Sequence, residues 1–162
     1  MRKHQKGFSL IELLIVVAII LIIAAIAIPN LMRSRMAANE ASAVASLRTI
    51  NTSEVVYSST YNGGFSADLK SLGGANCTTA NVPSSSAACL LDQVLAGSAA
   101  VSSKSGYNFT YVPGAGAVVP SYTVNADPIA PGSTGQRYFF TDQSAVIRFN
   151  LTAAAAATDT PI

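Results

Sequence analysis

Histidine is nearly missing from this sequence: the single copy, His4, lies among the first seven residues. Tryptophan is absent, two cysteines occur in 162 residues, and only 11% of residues are charged. Each scarcity closes a class of function. With no histidine beyond position 4, no Ser–His or Cys–His nucleophile pair can form, and the commonest metal ligand is gone. Two cysteines without a histidine cannot build a structural zinc site. No Walker-type glycine loop, G-x-S-x-G or S-x-x-K motif is present. The sequence predicts no enzyme, no catalytic residue and no cofactor. Asp127 and Asp142 lie near expected strand ends, but their spacing matches no compact calcium loop, so no metal site is assigned. The formal charge of +2 is no argument for nucleic acid: Arg2, Lys3 and Lys6 supply three of the ten basic residues, leaving 7 basic against 8 acidic after residue 7.

Polar residues are also lacking in one place. From Phe8 to Ile28 the chain has a single charge, Glu12, and almost nothing else polar. As a helix this stretch is about 31 Å long, matching a hydrocarbon core of ~30 Å. Basic residues precede it, so the positive-inside rule places the N-terminus in the cytoplasm and the remainder outside. Ala25-Ile26-Ala27 resembles an ordinary small-x-small cleavage site. The run exceeds the usual ~7–15 apolar residues of such a signal, however, and carries an acid near its start. A carboxylate inside a lipid-facing helix costs about 2.5–3.5 kcal/mol on insertion scales and calls for a partner. Phe8 and Glu12 are four residues apart, on one helix face, and Glu12 falls in the first turn where the helix dipole favours negative charge.

Lys6-Gly7 followed by Phe8-Ser9-Leu10-Ile11-Glu12, behind a short basic leader, resembles the processing motif of class III signal peptides. Their bearers are the type IV pilins and the related pseudopilins. The resemblance covers residues 6–30, includes Pro29, and fades beyond about Tyr61. It implies cleavage after Gly7 by a prepilin peptidase and N-methylation of the new N-terminal Phe8. It also implies that Glu12 seeks the Phe8 amine, its own or a neighbour's, during assembly. Leu21 departs from the pattern, standing where many pilins have a helix-loosening glycine.

Pro29 predicts a kink or a new helix start. Beyond it Met36, Ala43, Leu47, Ile50, Tyr57 and Tyr61 recur at helical steps, with no Gly or Pro until Asn62-Gly63-Gly64. A kinked helix from Phe8 to about Tyr61 is expected, apolar all round in its first half and amphipathic in its second. Arg33, Arg35, Glu40, Arg48 and Glu54 decorate the second half. They read as a solvated face with weak ion pairs or as registry between subunits. Arg33 and Arg35 have a third reading, as contacts to the extracytoplasmic lipid surface, and Glu40 and Glu54 fall on the apolar register.

Residues 62–104 read as loops, with short helices at Ala67–Leu72 and Cys89–Ala96; Ala99 to Ser105 reads as exposed loop. Strands are expected at Tyr107–Val112, Ala117–Asn125, Gln136–Phe140 and Ala145–Phe149, the last two joined across Thr141–Ser144. The tail from Thr152 reads as irregular. The predicted fold class is α+β: a long N-terminal helix whose second half carries a three- to four-stranded antiparallel sheet. The expected division is residues 1–7 leader, 8–28 apolar helix half, 29–61 amphipathic half and 62–162 head. Cys77 and Cys89 lie past the span, where disulfides persist, and a bond between them is the default against two buried free thiols. Four N-glycosylation sequons, at Asn51, Asn76, Asn108 and Asn150, carry little weight in so Ser/Thr/Asn-rich a chain.

The resemblance implies a prepilin whose partners are the inner membrane, the prepilin peptidase, the assembly machinery and further copies of itself in a helical filament at the cell surface. A pseudopilin of a type II secretion system shares the same N-terminus. A single-pass anchored binding domain that never polymerises is the alternative from another class.

Overall fold

The computed structural model describes residues 8–61, 63–74, 82–97 and 101–162. Nine elements are assigned among them, and the chain divides into two units, one ending at Arg35 and the other covering Met36–Ile162. Helix α1, Leu10–Thr60, is 51 residues long and contains Pro29. The assignment runs through the proline without a break, so no new helix begins there.

In the first unit α1 buries nothing: its large apolar side chains from Leu10 to Ile28 are 44–75% exposed. The second unit holds the core. Helices α2 (Leu69–Leu72) and α3 (Gln93–Ala96) are single turns. Each is started by an aspartate: Asp68 accepts from the Ser71 amide, and Asp92 from those of Val94 and Leu95. The helix expected over Cys89–Ala96 is therefore shorter, because Asp92 caps it and Leu90 and Leu91 precede the cap. Their amides bond back to the Leu72 carbonyl instead.

Six strands follow: β1 (Val101–Lys104), β2 (Tyr107–Pro113), β3 (Tyr122–Pro128), β4 (Tyr138–Asp142), β5 (Arg148–Asn150) and β6 (Thr160–Pro161). They form one antiparallel meander in sequence order. The α+β class, with a long helix and an antiparallel sheet, is as expected, but two strands lie outside the expected set. β1 occupies a stretch read as loop. Ser105 and Gly106, both at positive φ, close a two-residue hairpin that pairs Lys104 with Tyr107. β6 lies in the tail read as irregular, where the Ile162 amide donates to the Ile147 carbonyl and Ala155 is buried. The second expected strand starts later, at Tyr122, because Pro120 and Gly114–Gly116 hold residues 114–121 in a loop.

Alternation places Tyr107, Phe109 and Tyr111 of β2 and Tyr122, Val124 and Ala126 of β3 on the inner face. With Phe139 they pack against Ala43, Leu47, Ile50 and Tyr57 of α1, while Leu69, Leu72, Leu91 and Leu95 close the side. Gly135 admits Tyr107 so closely that an added Cβ would lie 2.0 Å from its hydroxyl oxygen.

Candidate functional site

The candidate site is a surface, the apolar start of α1, whose large side chains are exposed. A helix that is apolar all round is stable only when surrounded by protein or lipid. α1 is long and apolar enough to cross a membrane, and none of its apolar window is buried. Phe8, just before the helix, is 78% exposed. Gly7, the other half of the expected cleavage pair, lies outside the described residues.

Ser9 stands immediately before α1, and its amide donates to Glu12 Oε2 at 3.0 Å. This is the acidic half of a capping box, Ser9-Leu10-Ile11-Glu12, a pattern the sequence reading passed over. The carboxylate thus reaches back past the helix start, to within one residue of the nitrogen that cleavage after Gly7 would turn into an amine. Farther along, Ser34 Oγ donates to the Asn30 carbonyl one turn after Pro29.

The second half of α1 is tied to the sheet by polar groups. Glu40 Oε1 accepts from the amides of Gln136 and Arg137, and Glu40 Oε2 pairs with Arg137 Nε at 2.7 Å. Burial pushes the Glu40 carboxyl up, but those donors outweigh it and hold the group below its ordinary value. Glu54 is fully buried. It accepts from the Ser66 amide at 2.9 Å, the Ser66 hydroxyl at 2.6 Å and the Tyr111 hydroxyl at 2.7 Å. Burial dominates here and raises the Glu54 carboxyl, against the lowering effect of its donors. Burial first, and then the Glu54 charge, push the Tyr111 and Tyr122 phenols up, so both stay neutral donors. Tyr122 donates to Asn51 Oδ1, and Asn51 Nδ2 to Thr141 Oγ1. Glu40 and Glu54 are therefore anchors inside the second unit rather than a solvated face. The available signal was an acid on the register of Ala43, Leu47, Ile50 and Tyr57, which demands donors from elsewhere in the chain. Arg33, Arg35 and Arg48 are exposed, as a solvated face requires.

Cys77 lies outside the described residues. Cys89 sits half-buried at φ 56, with its amide on the Gly73 carbonyl at 2.8 Å. Asn51 is a core residue and Asn150 is bonded to Asp159, which removes two sequons as free surface asparagines; Asn76 is outside the described residues. Asp142 accepts from Ser144, and Asp127 on β3 has one buried oxygen without a hydrogen-bond partner. Among the described residues no group of three or more metal-ligating side chains forms.

The prokaryotic N-terminal methylation motif matches residues 2–28. The chain is also 60% identical over 38 residues to the type IV wide pilus major component PilA4 of Thermus thermophilus. That stretch is 24% of this chain and 29% of that protein's length. No solved structure matches the chain. The likeness thus covers the start of the apolar helix and the residues just before it, and over that segment alone the chain is similar to a type IV pilin.

Proposed function

We propose that the chain is the precursor of a structural subunit of a type IV pilus. The observation that carries this reading is the methylation motif of residues 2–28 opening a helix whose apolar surface is covered by none of the described residues. A prepilin peptidase cuts between Gly7 and Phe8 and methylates the Phe8 amine. Until assembly the precursor rests in the inner membrane with residues 1–7 in the cytoplasm and the sheet-bearing head outside. Assembly machinery then transfers the helix from lipid to neighbouring copies in a surface filament. That transfer exchanges one apolar surrounding for another, so its own driving force is small and an external energy source is required. Glu12 supplies registry: its carboxylate leaves the Ser9 amide for the Phe8 amine of an adjacent subunit. A Cys77–Cys89 disulfide closes the loop before α3.

Mass spectrometry of protein from filaments sheared off the source cell tests this. The expected N-terminus is a monomethylated Phe8, and the intact mass before and after reduction reads the Cys77–Cys89 bond. An N-terminus near Ile28 indicates an ordinary signal. Mature protein confined to the membrane fraction indicates an anchored domain that does not polymerise. Either result overturns the proposal.

A further inference from the structure

Each acid of α1 already has a partner: Glu40 has Arg137 and two amides, Glu54 has Ser66 and Tyr111, and Glu12 has the Ser9 amide, which under the proposed function it exchanges for a Phe8 amine on assembly. The arginines of α1 are not so engaged. Arg33, Arg35 and Arg48 are exposed, and none has an ion pair among the described residues. Helix-to-helix pairing between copies would therefore leave Arg33 and Arg35 without a carboxylate on α1 to meet.

Their place along the helix points to another anion. Phe8–Ile28 spans about 31 Å, which fills a hydrocarbon core of ~30 Å. Arg33 lies five residues beyond Ile28, about 8 Å along the axis, and Arg35 about 10 Å. A bilayer with its headgroups is ~40–45 Å thick, so each headgroup layer is roughly 5–8 Å deep. Helical side chains lean toward the helix N-terminus, which here is the membrane side. Long guanidinium arms at Arg33 and Arg35 thus reach back to the phosphate level. Leu31 and Met32, 70% and 49% exposed, occupy the boundary below them. Two residues apart, the arginines point about 200° from each other around the axis and can engage separate headgroups.

We infer that Arg33 and Arg35 form a lipid-phosphate collar that binds the headgroups of the extracytoplasmic leaflet and sets the depth of the helix before assembly. The inference rests on the membrane-span reading given under the proposed function. Arg48, 13 residues farther along, is out of reach of that layer and serves as the control.

The test uses the full chain, labelled with carbon-13 at the arginine guanidinium, in phosphatidylglycerol vesicles. Phosphorus-to-carbon dipolar dephasing reports contact with lipid phosphate. Arg33→Gln/Arg35→Gln is expected to lower the dephased arginine signal about two-fold or more, leaving the contribution of Arg2. Arg48→Gln is expected to leave it unchanged. Equal dephasing in the double variant overturns the collar, as does a loss of equal size in Arg48→Gln. Pairing with a second copy gives the same negative result, because no phosphorus is then near. Alkaline carbonate separates the two levels of failure. Protein stripped from the vesicles overturns the span itself; protein retained with unchanged dephasing overturns only the collar.

Discussion

Glu54 and Glu40 are carboxylates of one helix that burial and hydrogen bonding move in opposite directions. Glu54 is raised above its ordinary value near 4.5, so the folded chain holds that proton more tightly than the unfolded chain does. Its contribution is complete below the unfolded value and is lost as pH rises through the folded one. Glu40 is lowered, so its contribution is present above the unfolded value and is lost as pH falls through the folded one. On acidification from neutrality Glu54 therefore adds stability first, and Glu40 withdraws it later. Glu54→Gln should remove the first slope and Glu40→Gln flatten the second, as read by thermal unfolding in detergent across pH 3–8. Glu54→Gln should also be destabilised at neutral pH by about 1–3 kcal/mol, because three donors meet two carboxylate oxygens and Gln offers only one oxygen to them. A pH profile of Glu54→Gln parallel to that of the parent would show that Glu54 does not titrate in that window.

At the scale of elements, the proposed function gives one side chain at the start of α1 two roles. As a cap, Glu12 only has to accept the Ser9 amide; as a registry group it has to carry charge. Glu12→Gln keeps an acceptor without the charge, and Glu12→Val keeps neither. Both should insert into membranes at least as well as the parent, since the insertion cost of the carboxylate is gone. If charge decides assembly, both should give few filaments, counted by electron microscopy of sheared material; normal yield from Glu12→Gln would reduce Glu12 to a cap. Elements with strong periodicity were legible in advance. α1 ends within two residues of its expected limits because no Gly or Pro interrupts Leu31 to Tyr61. β2 shows its alternation of Tyr107, Phe109 and Tyr111 openly. β1 was not legible, because Val-Ser-Ser-Lys is too polar to alternate and its pairing depends on the Ser105-Gly106 turn. β6 is two residues held by its neighbour, which no local pattern announces. Glu40 and Glu54 stand out in the sequence only as misfits on an apolar face, since their donors come from residues 12 to 97 positions away.

On the scale of the whole molecule, every buried side chain described falls in one unit. The earliest buried polar residue is Glu40, the earliest buried apolar residue is Ala43, and the last buried residue is Ala155. The sheet, its two short helices and the anchoring half of α1 thus form a core without help from residues 8–35. The first unit is the reverse case: apolar side chains that none of the described residues buries. Stability and solubility should accordingly separate. A chain restricted to Met36–Ile162 should remain soluble without detergent and run as a monomer in size-exclusion chromatography. Its thermal midpoint should lie within about 4 °C of the full chain in detergent, about the shift that a loss of 1 kcal/mol produces in a domain of this size. The new helix end at Met36 exposes amides that the longer helix had satisfied, which is a surface effect of less than that size. Aggregation of the shorter chain, or a midpoint depressed by 10 °C or more, would mean that the preceding segment supports the core, and the division at Arg35 would then not be one of stability. If the division holds, substitutions on Phe8–Ile28 act on membrane and filament alone, and substitutions at Glu40, Asn51 or Glu54 act on the head alone. Assembly defects from the two regions are then distinguishable by whether the thermal midpoint moves with them.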